Sequence, residues 1–103
     1  MPAELKSGEI RLQASVLKAL AHPARLRLVR LLSKKELCVC ELRDAVGGDI
    51  STVSLHLLRL KRAGLVSARR QGNWMYYSLK CRCVPQFLSC IGRVARSASA
   101  RKG

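Results

Sequence analysis

The sequence predicts a mainly α-helical domain with one small β-hairpin in its C-terminal half. Three observations carry this prediction. Apolar residues recur at helical spacing along five separate stretches. Gly47-Gly48 divides two short amphipathic stretches, as the tight turn between paired helices does. Residues 65–79 then change to a strand–turn–strand pattern around Gln71-Gly72-Asn73. Four helices, a hairpin and a fifth helix make a winged helix-turn-helix.

Residues 1–8 read as a loose tail, 9–98 as the domain and 99–103 as a disordered tail. A first amphipathic helix spans Glu9 to Leu20, with Ile10, Leu12, Val16, Leu17 and Leu20 on its apolar side. Ala21-His22-Pro23 breaks it, and Pro23 suits the first turn of the next helix. That second helix, from Pro23 to about Lys34, is apolar over a broad arc through Leu26, Leu28, Val29, Leu31 and Leu32. It is the expected core helix, with Arg25, Arg27 and Arg30 on its remaining surface. A third, shorter helix spans about Cys38 to Val46. Asp49 and Ser51 are both good N-cap residues for the fourth. Val53, Leu57, Leu60 and the adjoining Leu58 form its apolar stripe. Thr52, Leu55, Arg59 and Arg62 share its opposite face. Gly64 fits a left-handed C-cap. Strands over Leu65–Arg70 and Trp74–Leu79 follow. The last helix spans Val84 to Ala98, with Phe87, Leu88, Ile91, Val94 and Ala95 on one side. The first and last helices have no place in the central core, so pairing them across a two-fold axis predicts a homodimer.

The chain's 103 residues suffice for one compact domain. The net charge is +14 and unevenly spread. Residues 1–49 hold nine Lys/Arg and all six Asp/Glu, whereas residues 50–103 hold eleven Lys/Arg and no carboxylate. An uncompensated basic half implies a polyanion, most simply nucleic acid. A helix burying one side and showing Ser, Thr and Arg on the other suits the DNA major groove. A basic hairpin beside it suits the phosphate backbone. Scarce aromatics, with Trp74, Tyr76 and Tyr77 all in one strand, argue against a base-stacking single-strand binder. No segment is long or apolar enough to span a bilayer, and MPAELKSGEI lacks the apolar run of a signal peptide, so a cytoplasmic protein is expected. No Ser–His–acid or paired-carboxylate constellation and no Cys-x-x-Cys near a βαβ unit is present, which argues against an enzyme. Five cysteines, at 38, 40, 81, 83 and 90, include two Cys-x-Cys pairs, an arrangement that calls for a reason beyond packing.

The runs KALAHPARLRLVRLL (18–32), ELCVCEL (36–42), STVSLHLLRLKRAGLV (51–66) and ARRQGNWMYYSL (68–79) resemble, in order, the ArsR/SmtB family. These are dimeric bacterial winged-helix repressors that release DNA on binding a metal or metalloid. The resemblance implies a helix arrangement in which the outer helices form the dimer. ELCVCEL is similar to the thiolate motif of the arsenic/antimony-sensing and cadmium/lead-sensing branches, which would make Cys38 and Cys40 ligands. Two departures stand out. Arginine occupies position 43, where arsenical repressors often carry a third Cys, and residues 1–37 contain none of the N-terminal-arm Cys of the cadmium/lead branch. The last-helix zinc site of other members needs His and carboxylates, which residues 84–103 lack.

Soft thiolates prefer soft ions such as As(III), Sb(III), Cd(II), Pb(II) or Cu(I) over hard ones. A Cys-x-Cys pair converges only where a helix begins and the backbone is still extended, the place of Cys38 and Cys40. The preferred arrangement takes Cys38 and Cys40 with one of Cys81, Cys83 and Cys90; the rival uses that C-terminal trio alone. A structural zinc is not expected, because the spacing within pairs is too short for a zinc ribbon. Two reading helices of a dimer would enter successive major grooves of a palindromic site about 34–36 Å apart. Ser51, Thr52, Ser54 and Leu55 would lie nearest base edges. His22, ahead of the helix-starting Pro23, and His56 read as structural, with His56 in the reading helix near phosphate; Arg59, Arg62, Arg69 and Arg70 would lie on phosphates, and Gln71 and Asn73 at the wing tip. The expected function is a repressor released by As(III) or Sb(III). The alternatives are a Cd(II)/Pb(II) sensor and a repressor answering to thiol oxidation.

Overall fold

The computed structural model describes residues 6–102. They form α1 (Ser7–Leu20), α2 (Pro23–Leu32), β1 (Leu37–Cys38), α3 (Val39–Val46), α4 (Ile50–Arg62), β2 (Val66–Gln71), β3 (Trp74–Leu79) and α5 (Val84–Lys102). This is a winged helix-turn-helix, mainly α, with α3 and α4 as the helix-turn-helix and β2–β3 as the wing.

The ends depart from expectation. Ser7 and Gly8, assigned to the tail, belong to α1, because Glu9 Oε1 accepts the Lys6 backbone N–H at 3.1 Å and closes the first turn. The rest of that expected tail, residues 1–5, lies outside the described residues, as does Gly103. Residues 99–102, expected to be disordered, continue α5. The physical reason is local: Ala98 to Lys102 contains no helix breaker, and Ala, Arg and Lys are strong helix formers.

Each helix boundary has a chemical cause. His22 is extended and its Nδ1 accepts the Ala24 N–H at 3.1 Å, so it caps α2 ahead of Pro23. Asp49 caps α4, its Oδ1 accepting the Thr52 N–H at 2.8 Å. The far end of α4 closes as a Schellman motif. Leu65 N–H reaches the Leu60 carbonyl at 3.0 Å and Gly64 N–H the Lys61 carbonyl at 2.9 Å. Gly64 stands at φ 84, where a Cβ is disfavoured, and Leu60 and Leu65 are both buried beneath it.

One strand was not anticipated. β1 pairs antiparallel with β3, Leu37 opposite Tyr77 and Cys38 opposite Tyr76, so the sheet has three strands in the order β1-β3-β2. It ties the segment leading into α3 directly to the wing. The core gathers Leu28, Val29 and Leu32 of α2, Leu42 of α3, Val53, Leu57 and Leu60 of α4, and Val66 and Leu79 of the sheet. Each fully buried Leu contributes roughly 1.5–3 kcal/mol. Leu58, expected in the α4 stripe, is exposed. It follows Leu57 by one residue, about 100° round the helix, and so turns off the buried face. The outer helices keep much of their apolar side open: Leu12 and Leu17 of α1 and Phe87, Ile91 and Val94 of α5 are exposed in the single chain.

Candidate nucleic-acid interface and thiol sites

Burial of Val53, Leu57 and Leu60 fixes the rotation of α4. Ser51, Thr52, Ser54, Leu55, Arg59 and Arg62 are consequently all exposed. His56 departs from the expected set. Its ring packs on His22 at the foot of α2, with centroids 4.4 Å apart at 50°. Its Nδ1 is shut off from solvent with no protein partner. Its pKa is lowered by burial first, then by the charges of His22, Arg25 and Arg59.

The wing is a regular two-residue hairpin. Gln71 and Trp74 face each other across Gly72-Asn73, and Gly72 takes φ 63. Arg70 and Asn73 are exposed, and so is Trp74 at the start of β3. Arg69 is exposed but is not an unpaired cation. Its Nε and Nη2 each donate to the Glu36 carboxylate at 2.8 Å, and its Nη1 donates to Gln71 Oε1 at 2.6 Å. Its guanidinium also stacks 4.8 Å from the Tyr76 ring centroid. The ion pair lowers the Glu36 carboxyl's pKa. Arg69 and Gln71, both expected on DNA, thus hold each other and fasten the wing to the chain just before β1. Sequence spacing could not reveal this, because the partners lie 33 residues apart.

Cys38 ends β1 and is the N-cap of α3, with extended φ −85 and ψ 162. It is buried, and its backbone N–H donates to Glu41 Oε1 at 2.9 Å, which lowers the Glu41 pKa. Cys40 is half-buried in the first turn of α3. Cys81 and Cys83 lie between β3 and α5, with their sulfurs 2.9 Å apart. The bond from Cys83 lowers the Cys81 pKa, and that of Cys83 is correspondingly raised. Cys90 is exposed on α5, its sulfur accepting from Arg93 Nη2 at 3.4 Å. Within one chain, no three His, Cys, Asp or Glu side chains come together among the described residues. The structure thus brings together only Cys81 and Cys83 as a close thiol pair, and gathers neither three-sulfur set expected from the sequence.

No helix among the described residues is long and apolar enough to cross a membrane. The family described as "Bacterial regulatory protein, arsR family" matches residues 22–68, from the α2 cap into the wing. An HTH-type transcriptional regulator of Mycobacterium tuberculosis, Rv0081, is 42% identical over 92 residues, covering 88% of this chain and 77% of that protein. Its crystal structure superposes with a TM-score of 0.81 at 39% identity, covering 95% of this chain and all of that one. The arsenic resistance transcriptional regulator ArsR1 of Pseudomonas putida is 40% identical over 77 residues, 74% of this chain and 59% of that protein. The solution structure of a homodimeric winged helix-turn-helix DNA-binding domain from Mycobacterium bovis matches with a TM-score of 0.80 at 31% identity, covering 98% of this chain and 95% of that one. A capped reading helix with an open polar face, a basic wing and these relatives agree: the chain belongs to the ArsR family of bacterial regulatory proteins and is a transcriptional regulator rather than an enzyme.

Proposed function

We propose that the protein is a homodimeric cytoplasmic repressor of a palindromic DNA operator, released when its cysteine thiolates take up a soft ion, As(III) or Sb(III) ahead of Cd(II) or Pb(II). The observation that carries the reading is the place of Cys38. It ends the strand paired to the wing and caps the helix packed beside the reading helix. A change at this residue therefore reaches the wing through the β1–β3 pairing and the reading helix through α3. Coupling of about 1–3 kcal/mol, typical of allostery, lowers DNA affinity roughly 5–150-fold, enough for a switch.

The donor set suits the ion. Thiolates select soft cations, and Cys38 with Cys40 supplies two. Cys81, Cys83 or Cys90 supplies the third, from the same chain or its partner. Bound there, the ion supplies a cross-link between segments that are otherwise separate. The protein's own part is to hold Cys38 at the joint, through the Glu41 bond and the Tyr76 pairing. Dimerisation is supported by the open apolar sides of α1 and α5 and by the homodimeric relative. On DNA, Ser51, Thr52, Ser54 and Leu55 meet base edges, while Arg59, Arg62 and Arg70 meet phosphates and Asn73 sits at the wing tip.

The 2.9 Å approach of Cys81 and Cys83 favours a second reading, a repressor answering to oxidation. A hydroperoxide would take two electrons from the pair, leaving a disulfide, an alcohol and water. One experiment separates the two. Operator release is titrated with As(III) under reducing conditions and, separately, with hydroperoxide, for wild type, Cys38→Ser and Cys81→Ser. The metalloid reading expects arsenite to release wild type and not Cys38→Ser. Arsenite-insensitive binding with peroxide release that Cys81→Ser abolishes overturns it in favour of the second.

A further inference from the structure

α1, α2 and α4 meet around an open hollow of about 500 Å³. Its wall presents Lys18 from α1, Arg25 from α2, and Arg59 and Arg62 from α4, with the Ser15 hydroxyl beside them. Among the described residues no carboxylate lines it. The ion pairs among the described residues are Arg43–Asp44 and Arg69–Glu36, so none of the four cations has an acidic partner there.

Two features are unfavourable unless an anion enters. Arg25 is the third residue of α2, in a first turn without any acidic residue, where the positive end of the helix dipole disfavours a cation. Arg59 and Arg62 stand three residues apart on α4, neighbours of like charge. Arg25 Nε is also closed to solvent and lacks a hydrogen-bond partner. Four cations gathered around one hollow, with no acidic partner among the described residues, are the complement of an oxyanion. Nearby His56 registers the same field, since Arg25 and Arg59 are among the charges that lower its pKa.

We propose that this hollow binds a phosphate group, that of the DNA backbone flanking the groove that α4 enters. The inference rests on the operator-binding reading above and extends it. Lys18 and Arg25 lie on helices outside the helix-turn-helix, so the footprint reaches one backbone contact beyond α4 and the wing. Arg59 and Arg62, at the C-terminal end of α4, form the floor shared by reading helix and phosphate site.

Lys18 is exposed, so Lys18→Gln removes a charge with little risk to the fold. The control is Lys34→Gln, an equal charge change at an exposed lysine lining a separate hollow against α5. Affinity for operator and for scrambled DNA is measured against KCl concentration. Loss of one phosphate contact flattens the log–log salt slope by about 0.9 and weakens both DNAs alike. Lys18→Gln should do this and Lys34→Gln should not. In parallel, inorganic phosphate is titrated into DNA-free wild type and Lys18→Gln while the Arg25 Nε–H resonance is followed. Equal slopes for the two variants with no phosphate-dependent shift overturn the proposal. A wild-type slope in Lys18→Gln with a saturable shift lost in that variant overturns the DNA source and leaves a free-phosphate site. If wild type binds no DNA, the operator reading fails and the phosphate titration alone decides the hollow.

Discussion

Neutralising Glu36 should make DNA binding more salt-sensitive, and neutralising Arg69 should change it little. An unpaired wing arginine that neutralises a phosphate contributes about 0.9 to the log–log salt slope, which between 50 and 200 mM salt is a ~3.5-fold change in affinity. Arg70 is in that position, exposed and without an acidic partner among the described residues. Arg69 is not, because Glu36 holds it through two bonds of 2.8 Å and Gln71 occupies a third N–H at 2.6 Å. The pair carries no net charge to offer a phosphate. Arg70→Gln should therefore flatten the slope by about 0.9 while Arg69→Gln leaves it nearly unchanged. Glu36→Gln releases the Arg69 guanidinium and should steepen the slope by about 0.9, so affinity at low salt rises. The assay is fluorescence anisotropy of a labelled operator across that salt range. Flattening by Arg69→Gln equal to that of Arg70→Gln, with Glu36→Gln inert, would refute the reasoning: DNA would then have displaced Glu36.

Stability, pH dependence and assembly can be tested in the same way. Leu57, fully buried between α4 and the core, should cost 2–5 kcal/mol when cut to Ala, read as a lower urea midpoint at unchanged m-value. Gly64→Ala forces a Cβ into φ 84 and should cost about 1–2 kcal/mol, with the loss in the same unfolding transition; no loss would mean the Schellman turn rearranges freely. His56 has a folded pKa below its ordinary 6.5, so the unfolded chain binds more protons there. Its contribution is complete above pH 6.5 and is lost as pH falls from there towards the depressed pKa. Urea midpoints should decline through that window in wild type and less so in His56→Gln. Ile91→Glu places a charge on the exposed apolar side of α5 and should convert the dimer to monomer by sedimentation, whereas a similar charge at exposed Ser99, near the end of the helix, should not.

Helix count, reading helix and wing were legible because each rests on local chemistry. Asp49 and Gly64 bracket α4 by their own hydrogen-bonding and conformational preferences, and the stripe at Val53, Leu57 and Leu60 follows from a 3.6-residue period. The β1 strand escaped notice because two residues, Leu37 and Cys38, make no alternating pattern; only pairing with Tyr76 and Tyr77 makes them a strand. The structural reading of His22 and His56 agrees with their ring contact, but helical position alone does not say that the two stand opposite each other. The partner of Arg69 is hidden from the sequence for a related reason. A basic residue in a hairpin looks available until its partner, 33 residues away, is seen.

The sequence by itself therefore determined the winged helix-turn-helix, the polar face α4 presents and the soft chemistry of five thiols. Those depend on periodicity, caps and side-chain type, which act over a few residues. Tertiary structure alone decided which cations are spent on intramolecular partners and which have no acidic partner among the described residues, Arg69 on Glu36 against Lys18, Arg25, Arg59 and Arg62 around one hollow. It likewise decided which thiols meet. Coulombic and hydrogen-bond partnerships fall off within a few ångströms and are indifferent to distance along the chain, so only the folded arrangement can assign them.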